Sequence, residues 1–222
     1  MSEHSLVSAL TETKPTLRRR IIEAADALIR EHGLAGATTR EIARAAGCAE
    51  GSIYVHFEDK IDLIVAVVVE REPFFAALLE LPEKAGEASL EENLVPWAEE
   101  LLALVRDNQP IFLALMGDRA VFERFKARLR ERRTGLPAVL QAASDYVRAE
   151  QELGRIERRV RPEVVASILV GACRDHVFAG VFAQDRHSSE GFAQALVRTV
   201  VFGLGPASAR ERVSSNLEEE TP

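Results

Sequence analysis

The stretch Thr38–Phe57, TTREIARAAGCAEGSIYVHF, decides how this chain is read. Thr38 and Glu41 make a T-x-x-E capping box that opens a helix. Ile42, Ala43 and Ala46 fall on one face, and Gly47 stops the helix. A second short helix follows over Glu50–His56. With Thr39 as the first position, Ala43 is the fifth, where a small side chain lets two helices cross closely. Gly47 is the ninth, where a left-handed backbone is needed. Ile53 is the fifteenth, where an aliphatic side chain plugs the pair. This spacing is that of a helix-turn-helix, a unit that holds its second helix out for a DNA groove. An ordinary helical hairpin with a glycine turn is the other reading of the spacing.

Outward from this stretch, helical periodicity dominates and no alternating strand pattern occurs. Thr16 can cap a first helix whose apolar face is Leu17, Ile21, Ala24, Ala25, Leu28 and Ile29, ending at Gly33. Asp59 caps a fourth helix with Asp62 in its first turn, and Pro73 kinks or breaks it. Residues 82–89 read as a loop. Ser89 and Glu92 cap a helix running through Trp97 to Val105. Asn108 and Pro110 open a separate short one over Ile111–Met116. Further helices are expected over Ala120–Arg133, Pro137–Leu153 and Glu163–Ala183, and from Ser188 or Ser189 to Leu204. The fold class is all-α, with nine or ten helices. The expected division is a flexible arm over 1–15, a three-helix DNA-binding domain over 16–60, a larger helical bundle over 61–204 for ligand and dimer, and a disordered acidic tail over 205–222.

Composition narrows the function. The 222 residues are 47% hydrophobic and carry a net charge of −7, which argues against a nonspecific nucleic-acid coat. Residues 1–60 hold 8 Lys and Arg against 9 Asp and Glu. DNA contact must therefore use a few placed cations and helix N-termini. The two cysteines, Cys48 and Cys173, are far apart and fit a reduced, cytoplasmic setting with no disulfide framework or zinc site. No apolar run is long enough for a membrane. No cofactor is implied.

The run from Gly33 to Leu63, with the preceding helix ending in HG and then TTREIA, AAG, GSIYVHF and Lys60, resembles the tetracycline-repressor (TetR) family of bacterial regulators. The resemblance covers about residues 16 to 65. It implies a DNA-binding head, a helical ligand-binding and dimerisation domain, and a homodimer on a palindromic operator in double-stranded DNA. Thr38 and Thr39 then become phosphate ligands at a helix N-terminus, beside Thr38's capping role. Tyr54 either reaches phosphate or supports its helix as a half-buried ring. His56 and Lys60 are phosphate candidates, and Gly51 lets the backbone approach DNA. Arg40, Ala49, Glu50, Ser52 and Val55 are placed to read bases. Glu50 is alternatively a partner of the helix dipole. Arg18, in the run Arg18–Arg20, is a flanking phosphate contact or part of a solvated face. Cys48 reads as core packing rather than a redox switch, and Arg124–Arg133 as a solvated helix face.

Candidate lining residues for a small-molecule effector are Trp97, Phe112, Met116, Phe122, Phe125 and Tyr146, each alternatively plain core. Arg174, Asp175 and His176 interrupt an apolar helix expected to be largely buried. They orient a polar ligand group or form an interface ion pair. No partner His or Cys makes His176 a metal ligand. Val165, Ile168, Leu169, Ala172, Val197, Val200, Val201 and Leu204 are the expected dimer surface. The resulting expectation is a ligand-released repressor. Its rivals are a DNA-binding regulator without a small-molecule effector and a helical-bundle enzyme. The five scattered histidines supply no catalytic constellation for the enzyme.

Overall fold

The computed structural model describes residues 15–70, 74–182 and 191–203. The amino-terminal arm, the Ser188/Ser189 cap, Leu204 and the acidic tail lie outside them. The described residues hold ten α-helices and no strand: α1 (Leu17–Gly36), α2 (Thr39–Ala46), α3 (Gly51–His56), α4 (Lys60–Glu70), α5 (Phe74–Leu79), α6 (Leu90–Met116), α7 (Arg119–Glu131), α8 (Leu136–Glu152), α9 (Pro162–Phe182) and α10 (Phe192–Phe202). A short 3₁₀ turn over Leu81–Lys84 occupies part of the expected loop.

The chain divides into two compact units. The first is Met1–Glu72 with Pro110–Arg132; the second is Pro73–Gln109 with Arg133–Pro222. The division therefore does not fall at residue 60. All of Ile61–Val68 is buried with the first unit, and a later segment returns to complete it.

In the first unit, Thr16 caps α1 by accepting the Arg19 N–H. Ile21, Ala25 and Ile29 are buried as the periodicity predicts, together with Ile22. Gly33 breaks the helix with φ +72°, but a further turn carries α1 on to Gly36. Helix α4 is apolar around its circumference, and α7 presses Phe125 and Leu129 into the same core. Each such side chain contributes about 1.5–3 kcal/mol through burial.

Asp62 is the one charge in the buried run of α4. Its carboxylate is 1% exposed, accepts the Glu58 N–H at 3.1 Å, and faces Arg128 at 3.4 Å and Arg132 at ion-pair distance. Arg124 holds Asp59 at 2.7 Å and Arg128 holds Glu58 at 2.7 Å. The basic run of α7 is thus an electrostatic clasp on the start of α4, which corrects its reading as a solvated face. The buried Asp62 carboxylate needs cationic partners, and α7 supplies them.

Burial pushes the Asp59 carboxyl up, but the Asp62 N–H it accepts, with Arg124 and Arg128, outweighs this and leaves it below the ordinary 3.8. A lowered carboxyl stabilises the fold fully above that ordinary value and ceases to do so as pH falls through the folded value. Relative to Asp59→Asn, the wild type should lose on the order of 0.5 kcal/mol more between about pH 5 and about pH 3, the scale of a solvent-screened pair. Urea unfolding followed by circular dichroism at the two pH values measures it. Equal losses in the two proteins would contradict the clasp.

Helix α6 is continuous over 27 residues, although Pro96 and Pro110 suggest a later start and a break at Asn108. An interior proline costs about 3 kcal/mol. Burial of Leu101, Leu102, Leu104 and Val105 before Pro110, and of Ile111 and Leu115 after it, exceeds that cost. Asn108 keeps its side chain on the helix by donating to the Leu104 carbonyl at 3.0 Å. In the second unit α8 packs on α9, and α9 on α10. Trp97 Nε1 donates to the Leu78 carbonyl at 3.1 Å, and Asn93 donates to the Tyr146 hydroxyl at 3.2 Å.

Candidate nucleic-acid interface

Helix α2 is a fixed scaffold. Thr38 Oγ1 accepts the Glu41 N–H at 3.2 Å, and Glu41 accepts both the Thr38 N–H at 3.2 Å and its hydroxyl at 2.8 Å. The Thr38 hydroxyl bond, then its N–H, hold the Glu41 carboxyl below its usual range. The Thr38 hydroxyl is therefore engaged in capping. Gly47 adopts φ +66°, ψ +44°, and its N–H returns to Ala43 and Arg44 carbonyls. This turn aims α3, and fully buried Ile53 joins buried Ala43 and Ala46 of α2 in one core cluster.

The opposite face of α3 is open. Val55 is 80% exposed and Tyr54 53% exposed. Ala49, Glu50 and Gly51 are exposed too, while Ser52 and His56 are half-buried. Arg40 stands exposed on α2, and so does Arg44 one turn later. Arg44 is a cation missing from the sequence-derived candidates; its i, i+4 spacing from Arg40 is the signal that marks it. Thr39 donates its hydroxyl to Glu50 at 2.6 Å, so the two helices are tied at the rim of the surface. Glu50 makes no cap bond to α3.

Other predicted contacts carry internal bonds. Lys60 Nζ donates to the Leu34 carbonyl at 2.6 Å and is half-buried. Burial pushes its pKa down, opposed by Glu41. Arg18 pairs with Glu70 (2.8 Å between Nη2 and Oε1) and lies 4.9 Å over the Phe57 ring. Arg19 pairs with Glu23 at 2.9 Å. Among the described residues, Arg20, Arg40 and Arg44 have no carboxylate at ion-pair distance. Cys48 is partly buried against the core.

The predicted effector residues divide between the two units. Phe112, Met116, Phe122 and Phe125 belong to the first unit, and Trp97, Tyr146, Arg174 and His176 to the second. Phe125 is core, edge-on to Phe112 at 6.0 Å; Met116 is 63% exposed. Tyr146 is fully buried, and burial pushes its phenol up to about 12. Helix α9 buries one stripe, including Leu169 and Cys173, and exposes Arg174 and Asp175, so it is not the largely buried helix expected. His176 stacks on Phe192 at 3.8 Å. No cluster among the described residues could hold a metal.

The dimer stripe divides similarly. Leu169 and Val197 are fully buried within their own unit, because α9 and α10 use them against their neighbours. Ile168 remains 48% exposed, and Ala172 is half-buried. Val165, Val200 and Val201 line a cavity of about 330 Å³ in the second unit, with Leu94, Val147 and Arg155.

A short helix that turns one face inward and leaves the other bare, set by a glycine turn beside two exposed arginines, has the geometry of a helix-turn-helix. Residues 21–67 match the model of a family described as bacterial regulatory proteins, tetR family. The likeness to that family lies in this amino-terminal stretch. It is 40% identical over 65 residues to the HTH-type transcriptional repressor AcnR of Corynebacterium glutamicum, 29% of this chain. The match spans about a third of that repressor's length, 35%. Among solved structures, a protein from Mesorhizobium loti assigned to the family superposes with a TM-score of 0.67 at 21% identity, covering 84% of this chain and 93% of the other. FadR of Bacillus subtilis, in complex with stearoyl-CoA, gives 0.62 at 18% identity, covering 84% and 98%. These two likenesses show a shared fold. No described helix is long and apolar enough to cross a membrane.

Proposed function

We propose that this protein is a cytoplasmic transcriptional repressor that binds a palindromic operator as a homodimer and leaves it when a small molecule binds. The open face of α3, with Val55 and Tyr54 exposed over a buried Ile53, carries the DNA-binding half of this reading. Val55 offers a methyl contact for thymine, Ser52 a hydroxyl for base edges, and Arg40 and Arg44 cations for guanine or phosphate. The exposed apolar residues Val164, Ile168 and Phe202, at 45%, 48% and 50%, support a second copy packing on α9 and α10. The second unit's cavity, with apolar walls and Arg155, Glu157 and Arg159 at its lining, supports a small effector there, as does the stearoyl-CoA held by FadR of B. subtilis.

Selection from random duplexes tests the reading. It should enrich a palindrome whose half-sites lie about one helical turn, ~34 Å, or a multiple of it apart. Enrichment of no palindrome would overturn it. On the selected site, Tyr54→Phe should weaken binding by a similar factor on every sequence and flatten the salt dependence. A change in sequence preference alone would contradict a phosphate role for Tyr54.

A further inference from the structure

The geometry points to a second small-molecule site, inside the DNA-reading unit itself, that takes a ligand with an apolar body and one anionic group. A cavity of about 590 Å³ lies wholly within the first unit. That is within the usual range for small-molecule sites, roughly 300–1,000 Å³. Leu34, Ile61, Ile64, Ala114 and Val121 give it apolar walls, and Lys60 stands among them.

Charge decides what the cavity accepts. The Lys60 ammonium has three donors. One goes to the Leu34 carbonyl at 2.6 Å, and no carboxylate lies at ion-pair distance among the described residues. Burial pushes its pKa down, while the Glu41 carboxylate, beyond ion-pair distance, opposes this. Asp118 is the carboxylate in the lining, but it is spent on the start of α7, accepting the Ala120 and Val121 N–H groups at 2.9 and 3.1 Å. Arg124 adds a second cation at the wall, held by Asp59. An anion entering here meets a half-desolvated ammonium with free donors, where a charge-assisted bond is strong. A cation meets Lys60 and Arg124.

Gly33 shapes the rim. Its positive φ swings the last turn of α1 away from the helix axis, and His32 through Ala35 border the cavity. The bond from Lys60 to Leu34 ties that turn to the first turn of α4. A ligand seated on Lys60 acts on this tie directly, within the unit that carries α2 and α3. Such a site is separate from the second unit's cavity and goes beyond the function proposed above.

The probes are 1-anilinonaphthalene-8-sulfonate and its neutral counterpart N-phenyl-1-naphthylamine, which share a body and differ in the anion. With the full chain, fluorescence titration should reveal one Lys60-dependent sulfonate site. Lys60→Met should weaken the sulfonate about tenfold and leave the neutral amine nearly unchanged, as loss of one charged hydrogen bond requires. Ala114→Trp, which fills the cavity, should abolish that site for both probes. Unchanged sulfonate binding in Ala114→Trp, or equal weakening of both probes in Lys60→Met, would overturn the proposal. Should either variant fail to fold, amide shifts in the wild type decide. Sulfonate must perturb Leu34, Ile61 and Ala114, and shifts confined to the second unit would refute the site. Operator selection is run without probe, so failure of the repressor reading shows separately.

Discussion

Ile53→Ala should cost about 3 kcal/mol and remove operator binding, while Val55→Ala, two residues along the same helix, should leave stability within about 0.5 kcal/mol. Ile53 is fully buried in the core cluster that also holds Ala43 and Ala46. Its truncation leaves a cavity where α2 and α3 cross, and a six-residue helix has little else to hold it. A loss of that size is about two orders of magnitude in the folded-to-unfolded ratio. Val55 is 80% exposed, so its truncation removes contact with water in the free protein and, on the proposed function, contact with a base in the complex. Its effect should appear as relaxed preference at one base pair, about 1 kcal/mol. Urea unfolding and operator titration of both variants separate the two roles. Equal stability losses would show that α3 is not oriented as described.

Asp62→Ala should destabilise the first unit by about 3 kcal/mol, the low end for breaking a buried ion pair. The substitution orphans the Glu58 N–H and strips Arg128 and Arg132 of their shared partner. The arginines keep partial access to water, at 18% and 38% side-chain exposure, which limits the cost. Asp62→Asn keeps the size and one acceptor and should lose less. A double-mutant cycle with Arg132→Ala should give a coupling above about 0.5 kcal/mol. Additive losses would mean that the two groups are neighbours without being partners.

The parts of this fold that were legible in the sequence are those with local causes. Thr38 caps because its hydroxyl and Glu41 stand three residues apart, and Gly47 turns because only its own backbone must bend. Ile53 and Val55 separate into buried and exposed by helical phase alone. Lys60 reads from the sequence as a phosphate contact, and nothing within a turn of it reveals that the Leu34 carbonyl, 26 residues earlier, accepts one of its donors. The basic run of α7 misled for the same reason: Arg128 and Arg132 answer carboxylates some seventy residues away in sequence. Leu169 and Val197 looked like a surface stripe because an apolar stripe looks the same whether its partner is the same chain or another. The aromatic residues of the expected effector site divide between the two units, with Phe112 and Phe125 edge-on in the first and Trp97 and Tyr146 buried in the second, a division that residue type alone does not reveal.

The first unit draws on two stretches of chain separated by residues 73–109. A nascent chain that has emerged only as far as Glu72 lacks Ile111, Leu115, Phe125 and Leu129 from its core and both arginines that neutralise Asp62. The DNA reader therefore reaches its full stability only once Arg132 has left the ribosome. The same topology bears on recombination: a gene fragment cut after residue 72 leaves part of this unit's core behind, and a graft that keeps the whole core brings the returning segment with it.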